Sequence, residues 1–273
     1  MNQHDRASFN GRIVDRRECL VSIDEPAFQA ACSVYETMKY VDSRLIYVRD
    51  HIARLFRSAH GLGIDHHFEQ DQIITYIREL LSSANLTDAS IRVTLTGGQE
   101  PRLYITTQPL LSYPETYYRE GVKAITYRGE RYLPQFKTGN LLLNYLSRSE
   151  AARRGAFEAL LQNNEGFLLE GSRTNLFALK GDVLYTAPTD MVLEGVTRDH
   201  ILHAAQELSL SVEYELLSYE TVIAGHYDGL FISSTSMGAL PLCCLDDTPL
   251  PFVHHHTKRI HALIRSWEYD VLP

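Results

Sequence analysis

Residues 167–186 read FLLEGSRTNLFALKGDVLYT, in which apolar runs are separated by polar residues that form turns. The first run ends on Glu170 and meets Gly171–Ser172, a turn-forming pair. The run that begins at residue 174 is interrupted at residues 180–182, KGD, and this pattern predicts a β-hairpin. The stretch therefore predicts antiparallel strands with one carboxylate at the end of an apolar strand.

Outward from this hairpin, the apolar residues recur in some segments every two residues and in others every three to four. This mixture predicts an α/β chain. Strands are predicted at residues 34–40, 44–47, 91–96, 102–107, 122–127, 158–163 and 166–169. Helices are predicted within residues 50–63, around Ile73–Leu81, through residues 141–155, from Thr197, and where Ile260, Leu263, Ile264 and Trp267 share a face.

The chain has 273 residues, which is enough for two modest domains. Periodicity fails around residues 108–119, where two prolines occur, and this indicates a linker. We predict a smaller N-terminal domain at residues 1–112, a linker at 113–119 and a larger C-terminal domain at 120–273.

Composition limits the classes of function. The net charge of −8 argues against a nucleic-acid surface, which needs clustered Lys and Arg. No stretch approaches the ~20 apolar residues of a membrane helix, and the polar N-terminus lacks the apolar core of a signal peptide. The cysteines, Cys19, Cys32, Cys243 and Cys244, lack zinc-site spacing and are interpreted as reduced. We therefore expect a cytoplasmic protein.

Two residues are candidates for catalysis. Lys137 lies in FKTGN, between Phe136 and a leucine run, where partial desolvation would make its amine a nucleophile. The alternative is a surface lysine before a helix, and this segment alone favours it. Glu170 fits equally well as a carboxylate that keeps a pyridinium nitrogen protonated and as a turn residue bound by backbone amides.

Three further features could bind a phosphate group. Gly195 precedes a helix whose first amides, at Val196 and Thr197, could bind an anion, although capping by Thr197 is the simpler interpretation. The hydroxyl run at residues 233–236 follows an apolar strand but is also typical of turns. Arg54 could hold a phosphate, or it could be a solvated helical charge.

Taken together and in order, these segments resemble one family. VYETMKY, DHIARLFRSA, FKTGN, LLEGSRTNLF, LEGVTR and LFISSTS are similar to the class IV aminotransferases, which include D-amino-acid and branched-chain aminotransferases and aminodeoxychorismate lyase. The resemblance extends from about residue 12 to residue 268. It implies a fold type IV enzyme that depends on pyridoxal 5'-phosphate, with two α/β domains, the smaller N-terminal, the larger β-rich and C-terminal, and the cofactor in the cleft between them.

The resemblance also implies roles for individual residues. Lys137 matches the lysine that forms a Schiff base with the cofactor, and Glu170 matches the carboxylate on the pyridine nitrogen. Leu193 matches the apolar residue against the ring. The residues that match the phosphate-binding group are Arg54, Val196 (through its amide), Thr197, Ser234 and Thr235. Those that match the substrate side are Tyr35, Lys39 and Arg131.

Recognition of the substrate carboxylate is the least determined feature. IRVTLTGG departs from the arginine-and-histidine pattern of D-amino-acid aminotransferases and resembles a subgroup in which the strand arginine, here Arg92, faces the carboxylate. A second arginine of that subgroup is absent, because Ala30 and Ala31 stand in its place. Arg173 and Lys39 are therefore competing candidates.

The predicted function is transamination between a D-amino or branched-chain amino acid and a 2-keto acid. The alternatives are pyruvate elimination, as in aminodeoxychorismate lyase, and a non-catalytic cofactor-binding dimer, against which Lys137 and Glu170 argue. A homodimer with its pocket at the interface is implied by the resemblance. The histidines at residues 66–67 and 254–256 are interpreted as polar segments, and we expect no metal.

Overall fold

A computed structural model describes residues 3–270 of the chain. Contacts between Cα atoms divide it into two compact units. Of the described residues, unit 1 comprises residues 3–111, Phe136–Asn140 and Asp270, and unit 2 comprises Ser112–Gln135 and Leu141–Tyr269. No helix within residues 3–270 combines the length and the apolar character needed to cross a membrane.

Unit 1 is built on a six-stranded sheet in the order β2-β1-β6-β5-β3-β4. Its strands are β1 (Arg6–Phe9), β2 (Arg12–Asp15), β3 (Ser33–Val41), β4 (Arg44–Leu45), β5 (Ala89–Thr96) and β6 (Arg102–Gln108). Its helices are α1 (Pro26–Gln29), α2 (Val48–Gly61) and α3 (Gln70–Ser83). The apolar faces of α2 and α3 form one buried core with β3 and β5.

The alternation predicted for residues 91–96 is confirmed. Ile91, Val93 and Leu95 are fully buried in the core of unit 1. Because side chains on a strand alternate between faces, Arg92 lies on the opposite face, where it meets Tyr35 of β3. The β3 and β5 strands thus present an apolar face to the helices and a polar face on the other side.

The β1–β2 hairpin was not among the predicted strands. Its turn is Asn10-Gly11, and both residues have positive φ, 48° and 84°. An Asn-Gly pair is the residue pair that a two-residue hairpin turn with two positive φ angles favours. A side chain at Gly11 would also strike the ring of Tyr76, 2.4 Å away. The dipeptide was therefore a signal in the sequence from which this hairpin could have been predicted.

The segment that carries Lys137 belongs to unit 1, although it is distant from the rest of that unit in sequence. Thr138 forms an antiparallel bridge with Val34 on β3. The amide of Tyr35 donates to the carbonyl of Lys137 at 3.0 Å, and the amide of Gly139 donates to the carbonyl of Ser33 at 2.7 Å. These bonds fix the backbone of residues 137–139 against the first residues of β3.

Unit 2 contains a ten-stranded mixed sheet in the order β12-β11-β10-β14-β15-β7-β8-β9-β13, with β16 paired to β15. Its strands are β7 (Val122–Arg128), β8 (Glu158–Gln162), β9 (Phe167–Gly171), β10 (Asn175–Lys180), β11 (Val183–Thr186), β12 (Ser211–Tyr214), β13 (Leu217–Ser218), β14 (Gly229–Ser234), β15 (Gly238–Leu245) and β16 (Thr248–Pro249). Its helices are α4 (Glu115–Glu120), α5 (Leu142–Arg153), α6 (Val196–Glu207), α7 (Tyr219–Ile223) and α8 (His255–Tyr269).

The hairpin predicted at residues 174–186 is confirmed as β10 and β11. Alternate residues of β10 enter different cores: Phe177 and Leu179 pack with α6 and α8, whereas Leu176 and Ala178 pack in the core on the other face. This is why the run is apolar throughout, as expected for a strand that is buried on both faces.

Several elements of unit 2 differ from the prediction. The segment at residues 108–119 contains part of α4, so its prolines precede a helical turn, with Pro114 as the residue before it. Strands β12 and β13 and helix α7 were not predicted. They are short, and most of β12 is exposed, so they lack the long apolar pattern from which longer elements are recognised. The mixed α/β class itself is confirmed.

Candidate active site

Lys137 is positioned by contacts of its backbone and its side chain within unit 1. Its amide donates to the hydroxyl of Ser58 on α2 at 3.0 Å, and its carbonyl accepts from Tyr35. Its Nζ atom lies 4.7 Å from the centroid of the Tyr35 ring, within the range of a cation–π contact. Lys137 is therefore half-buried beside the first residues of β3, with its amine against the ring of Tyr35. It is not a solvated lysine at the start of a helix.

Arg92 contacts the same ring. Its Cζ atom lies 3.9 Å from the ring centroid of Tyr35, so the ring is in contact with both a guanidinium and an amine. Burial lowers the pKa of Arg92, and Tyr35 offsets part of this effect. Lys39 lies further along β3 and is only 5% exposed. Tyr35, Lys39 and Arg92 therefore share the polar face of the β3–β5 pair.

Arg54 is buried in an ion pair rather than solvated. Glu36 on β3 accepts from its Nε at 2.6 Å and from a terminal nitrogen at 2.7 Å, and Nδ1 of His51 lies 2.7 Å from the same carboxylate. All three side chains are at most 5% exposed. The α2 residues His51, Arg54 and Ser58 have helical spacing, so one face of α2 supplies both this cluster and the hydroxyl bonded to Lys137.

This cluster predicts how stability depends on pH. Burial raises the pKa of Glu36, but the charge and hydrogen bonds of Arg54 outweigh it, with a smaller contribution from His51, and hold the pKa at about 2. Since this lies below the ordinary value of 4.5, the ionised carboxylate stabilises the fold above about pH 4.5 and loses this contribution as the pH falls toward 2. Burial also lowers the pKa of His51 from 6.5, so the folded state keeps this histidine neutral where the unfolded state would protonate it. The free energy of unfolding therefore decreases as the pH falls below 6.5.

We therefore expect the free energy of unfolding to fall in two steps on acidification, below pH 6.5 and below pH 4.5. Glu36→Gln should make the second step smaller, as measured by denaturant unfolding at a series of pH values, while other carboxylates with lowered pKa values, such as Asp15, keep part of it. The control is Glu79→Gln, which changes an exposed carboxylate on α3 and should keep the wild-type profile. A second step of unchanged size in Glu36→Gln would contradict this assignment.

In unit 2, Glu170 is held from two sides. Leu193 donates its backbone N–H to Oε2 at 3.1 Å, and the guanidinium of Arg131 donates to Oε1 at 3.4 Å. Arg131 also donates to the carbonyl of Pro134 at 2.9 Å. The carboxylate is 6% exposed, so it lies within a structured group and not on a solvated turn. Arg131, predicted on the substrate side, is thus in direct contact with Glu170.

The turn after Glu170 is organised by a second buried carboxylate, Glu158, which the sequence did not single out. Glu158 accepts from the amide of Ser172 at 3.2 Å, from its hydroxyl, and from the hydroxyl of Thr174 at 3.2 Å. Arg173 lies 3.7 Å from Glu158 and above the ring of Phe157. The structure therefore places the Arg173 side chain with Glu158 and not with Glu170.

Helix α6 begins where the sequence predicted an anion site. Gly195 is its N-cap, and no side chain caps the helix, so the predicted cap by Thr197 is not what the structure shows. The first turn presents the amides of Val196 and Thr197, and the partial positive charge of a helix N-terminus favours an anion there. Leu193, two residues earlier, is half-buried.

The hydroxyl run ends β14 and enters the turn before β15. Ser233 is 1% exposed, and its hydroxyl has no hydrogen-bond partner among residues 3–270. Ser234 lies 3.3 Å from Ser236, measured between the hydroxyl oxygens, and Thr235 is half-buried between them. The run thus combines half-buried hydroxyls with one buried hydroxyl, that of Ser233, which has no partner within residues 3–270.

The sequence-predicted residues fall into two groups. Unit 1 brings Lys137 and Arg92 together on the ring of Tyr35, with Lys39 further along the same face of β3. Arg54 lies in the core-facing cluster with Glu36. Unit 2 brings together Glu170, Arg131 and Leu193, followed by Val196 and Thr197, while Ser234 and Thr235 close β14. Two residues that sequence reasoning missed, Glu158 and Asn175, have buried polar side chains within the unit 2 group.

Comparison with known proteins agrees with this chemistry. The family model described as amino-transferase class IV matches residues 33–243. A D-alanine aminotransferase from Bacillus licheniformis is 32% identical over 250 residues, covering 87% of each chain. A putative branched-chain-amino-acid aminotransferase from Methanocaldococcus jannaschii is 30% identical over 255 residues, again covering 87% of each.

A solved structure has the same fold. The branched-chain amino acid aminotransferase of Escherichia coli superposes with a TM-score of 0.87 at 27% identity, covering 96% of this chain and 94% of that one. These relatives are aminotransferases, so the lyase alternative is not favoured. The family model covers well over half of the chain, and the enzyme is a PLP-dependent aminotransferase that belongs to the class IV aminotransferase family.

Proposed function

We propose that the enzyme transfers the amino group of a D-amino acid to a 2-keto acid, and that Lys137 carries the cofactor. The observation that supports this most is the placement of the Lys137 amine and the Arg92 guanidinium on one ring, that of Tyr35. An α-amino acid has its amino group and its carboxylate on the same carbon. In this proposal the substrate amino group replaces the Lys137 amine on the cofactor, and the neighbouring Arg92 guanidinium binds the substrate carboxylate.

The residues of the chain fit pyridoxal 5'-phosphate in their chemistry. Bound to an amino acid, this cofactor withdraws electrons from the α-carbon and so acidifies the α-proton. Glu170 is the buried carboxylate that would keep the pyridine nitrogen protonated, and the Leu193 amide and Arg131 hold it in place. Lys137, once released, is the base that would remove the α-proton and return it.

The phosphate group matches the uncapped start of α6. We assign it to the amides of Val196 and Thr197, to the hydroxyls of Ser234 and Thr235, and to Arg54. The support is that α6 has no side-chain cap and that the neighbouring Ser233 is a buried hydroxyl without a partner among the described residues. Arg54 is already paired with Glu36, so its guanidinium is oriented before any ligand binds.

The proposed substrate class is taken from the names of relatives that match the chain in sequence. D-alanine aminotransferases support a D-amino donor. The second candidate is a branched-chain amino acid, which the Methanocaldococcus jannaschii and Escherichia coli enzymes favour by name. Both candidates need a group for the α-carboxylate, and Arg92 is our assignment for it, with Tyr35 and Lys39 beside it.

We also propose that the enzyme is a homodimer with its pocket at the interface. Helix α5 exposes an apolar stripe at Leu142, Tyr145 and Leu146, with exposures of 66%, 69% and 44%. These residues have the i, i+3, i+4 spacing of one helix face, and exposed apolar patches mark interaction sites. Sedimentation of the wild type and of Leu142→Glu/Tyr145→Glu tests whether this stripe is covered by a second copy.

A cytoplasmic location is part of the same proposal. The four cysteines are free thiols in the structure. Free thiols are typical of proteins in a reducing compartment. Fractionation of the native organism's cells, followed by an activity assay of each fraction, tests this assignment.

The experiment that tests the function is a half-reaction followed in the visible spectrum. Purified enzyme is mixed with D- and L-alanine and with D- and L-leucine, one at a time and without keto acid. We expect D-alanine to shift the absorption and pyruvate to restore it. A shift with L-leucine alone would favour the branched-chain candidate. No shift with any amino acid would contradict transamination.

Arg92→Ala is expected to raise KM for the amino donor by about 10- to 100-fold with a smaller change in kcat, because a charge-assisted hydrogen bond contributes about 1.5–3 kcal/mol to binding. Cofactor affinity should not change. Arg173→Ala is the control, since its side chain pairs with Glu158. An unchanged KM in Arg92→Ala with a raised KM in Arg173→Ala or Lys39→Ala would show that the carboxylate is held elsewhere.

A further inference from the structure

Asn175 is the first residue of β10 and lies at the centre of the unit 2 group. Its register partners are Glu170 on β9 and Ser233 on β14. It is 6% exposed, and it is part of the EGSRTNLF motif, yet neither the proposed chemistry nor the phosphate assignment uses it.

The side chain of Asn175 joins β10 to the segment before α6. Its Nδ2 donates to the carbonyl of Leu193 at 2.8 Å, and the amide of the same Leu193 donates to Glu170 at 3.1 Å. Leu193 is therefore held through both of its backbone polar groups. Its N–H donates to Glu170, and its carbonyl accepts from Asn175, the residue paired with Glu170 between β9 and β10.

The other end of the same amide packs on Gly195. A Cβ atom placed on Gly195 would lie 2.2 Å from Oδ1 of Asn175, far closer than any real contact. The φ of Gly195 is −74°, which every residue type can adopt, so the glycine is required by this close approach and not by the backbone conformation. The N-cap of α6 therefore rests directly on the Asn175 side chain.

We propose that Asn175 is a positioning residue that sets the first turn of α6 relative to Glu170, and so sets where the phosphate group is bound relative to the pyridine nitrogen. This inference rests on the proposed function, which assigns the phosphate to α6 and the nitrogen to Glu170. The alternative is that Asn175 only stabilises the fold. A positioning role predicts that loss of Asn175 weakens binding of the phosphorylated cofactor more than binding of pyridoxal. A purely structural role predicts no such difference.

The test compares the affinities of the apoenzyme for pyridoxal 5'-phosphate and for pyridoxal, which lacks the phosphate, by absorbance titration. Asn175→Ala should weaken binding of pyridoxal 5'-phosphate by about 10- to 100-fold and that of pyridoxal by less than about 3-fold, because the α6 amides are displaced. Asn175→Ser, which stays neutral but lacks the Nδ2 donor to the Leu193 carbonyl, should behave in the same way and serves if the alanine variant fails to fold.

The matched control is Asn163→Ala. Asn163 is also a buried asparagine of unit 2, and its side chain accepts from the amides of Glu165 and Phe167 in the β8–β9 turn. Its loss should lower Tm without changing the ratio of the two affinities. If Asn175→Ala also lowers Tm and leaves the ratio unchanged, the inference is overturned while the proposed function stands. If the wild type itself binds pyridoxal as tightly as pyridoxal 5'-phosphate, both are overturned.

A double-mutant cycle provides an independent measure. Gly195→Ala should weaken binding of pyridoxal 5'-phosphate strongly in the wild type, because the added methyl group strikes Asn175. In the Asn175→Ala background the nearest contact is gone, so the same substitution should have an effect at least 5-fold smaller. Equal effects in the two backgrounds would show that the two residues are not coupled and would overturn the inference.

Discussion

Lys137→Ala is expected to lower turnover by about 10⁴-fold or more, the largest effect of any single substitution in this protein. The variant loses both the amine that carries the cofactor and the base that moves the α-proton, and general-base catalysis alone accounts for about 10²- to 10⁴-fold. Folding should be little affected, because the residue is fixed mainly by backbone bonds to Ser58 and Tyr35, which alanine retains.

Borohydride reduction and peptide mapping check the same residue directly. In the wild type the cofactor should be fixed to Lys137, and in Lys137→Ala it should not be fixed at all. Lys180→Ala is the control, since Lys180 is an exposed lysine at the end of β10. A cofactor attached to another lysine, or full turnover in Lys137→Ala, would end the assignment.

Glu170→Gln is expected to give the second largest effect, a loss of about 2–4 kcal/mol of transition-state stabilisation. A neutral amide cannot keep the pyridine nitrogen protonated as a carboxylate does. The Gln side chain can still accept from the Leu193 amide, so cofactor affinity should change little. Steady-state kinetics should therefore show a reduced kcat at saturating substrate, together with near-normal cofactor binding.

The control for Glu170 is Glu165→Gln. Glu165 is an exposed carboxylate in the turn before β9, on the same stretch of chain. Its substitution should leave kcat unchanged. Near-normal kcat in Glu170→Gln would mean that Glu170 is only a turn residue bound by backbone amides, which is the alternative interpretation of its sequence segment.

The strands and helices that could be predicted are those with long apolar patterns. The hairpin of β10 and β11, the paired strands β5 and β6, and helices α2, α3, α5, α6 and α8 were all predicted near their observed positions. Each buries one face or both faces, and such burial imposes a period of two or 3.6 on the sequence. Short exposed elements such as β12 and α7 impose no such period.

For the candidate site, local sequence was informative about residue types but not about contacts. Taken alone, FKTGN favoured a surface lysine, and Arg54 looked like a solvated helical charge. In the structure, Lys137 is half-buried beside Tyr35 and Arg54 is buried against Glu36. The partners are 18 residues away for Arg54 and 102 for Lys137, so no local pattern could show them.

The sequence by itself determined the α/β class, the hairpin that follows Glu170 and the family, because these depend on the order of residue types along the chain. Only the tertiary structure decided that residues 136–140 belong to unit 1, that Arg54 and His51 both bond to the buried Glu36, and that Asn175 contacts both Leu193 and Gly195. The physical reason is that a buried polar group must find a partner. Which partner it finds depends on which distant segments the folded backbone brings within hydrogen-bond distance.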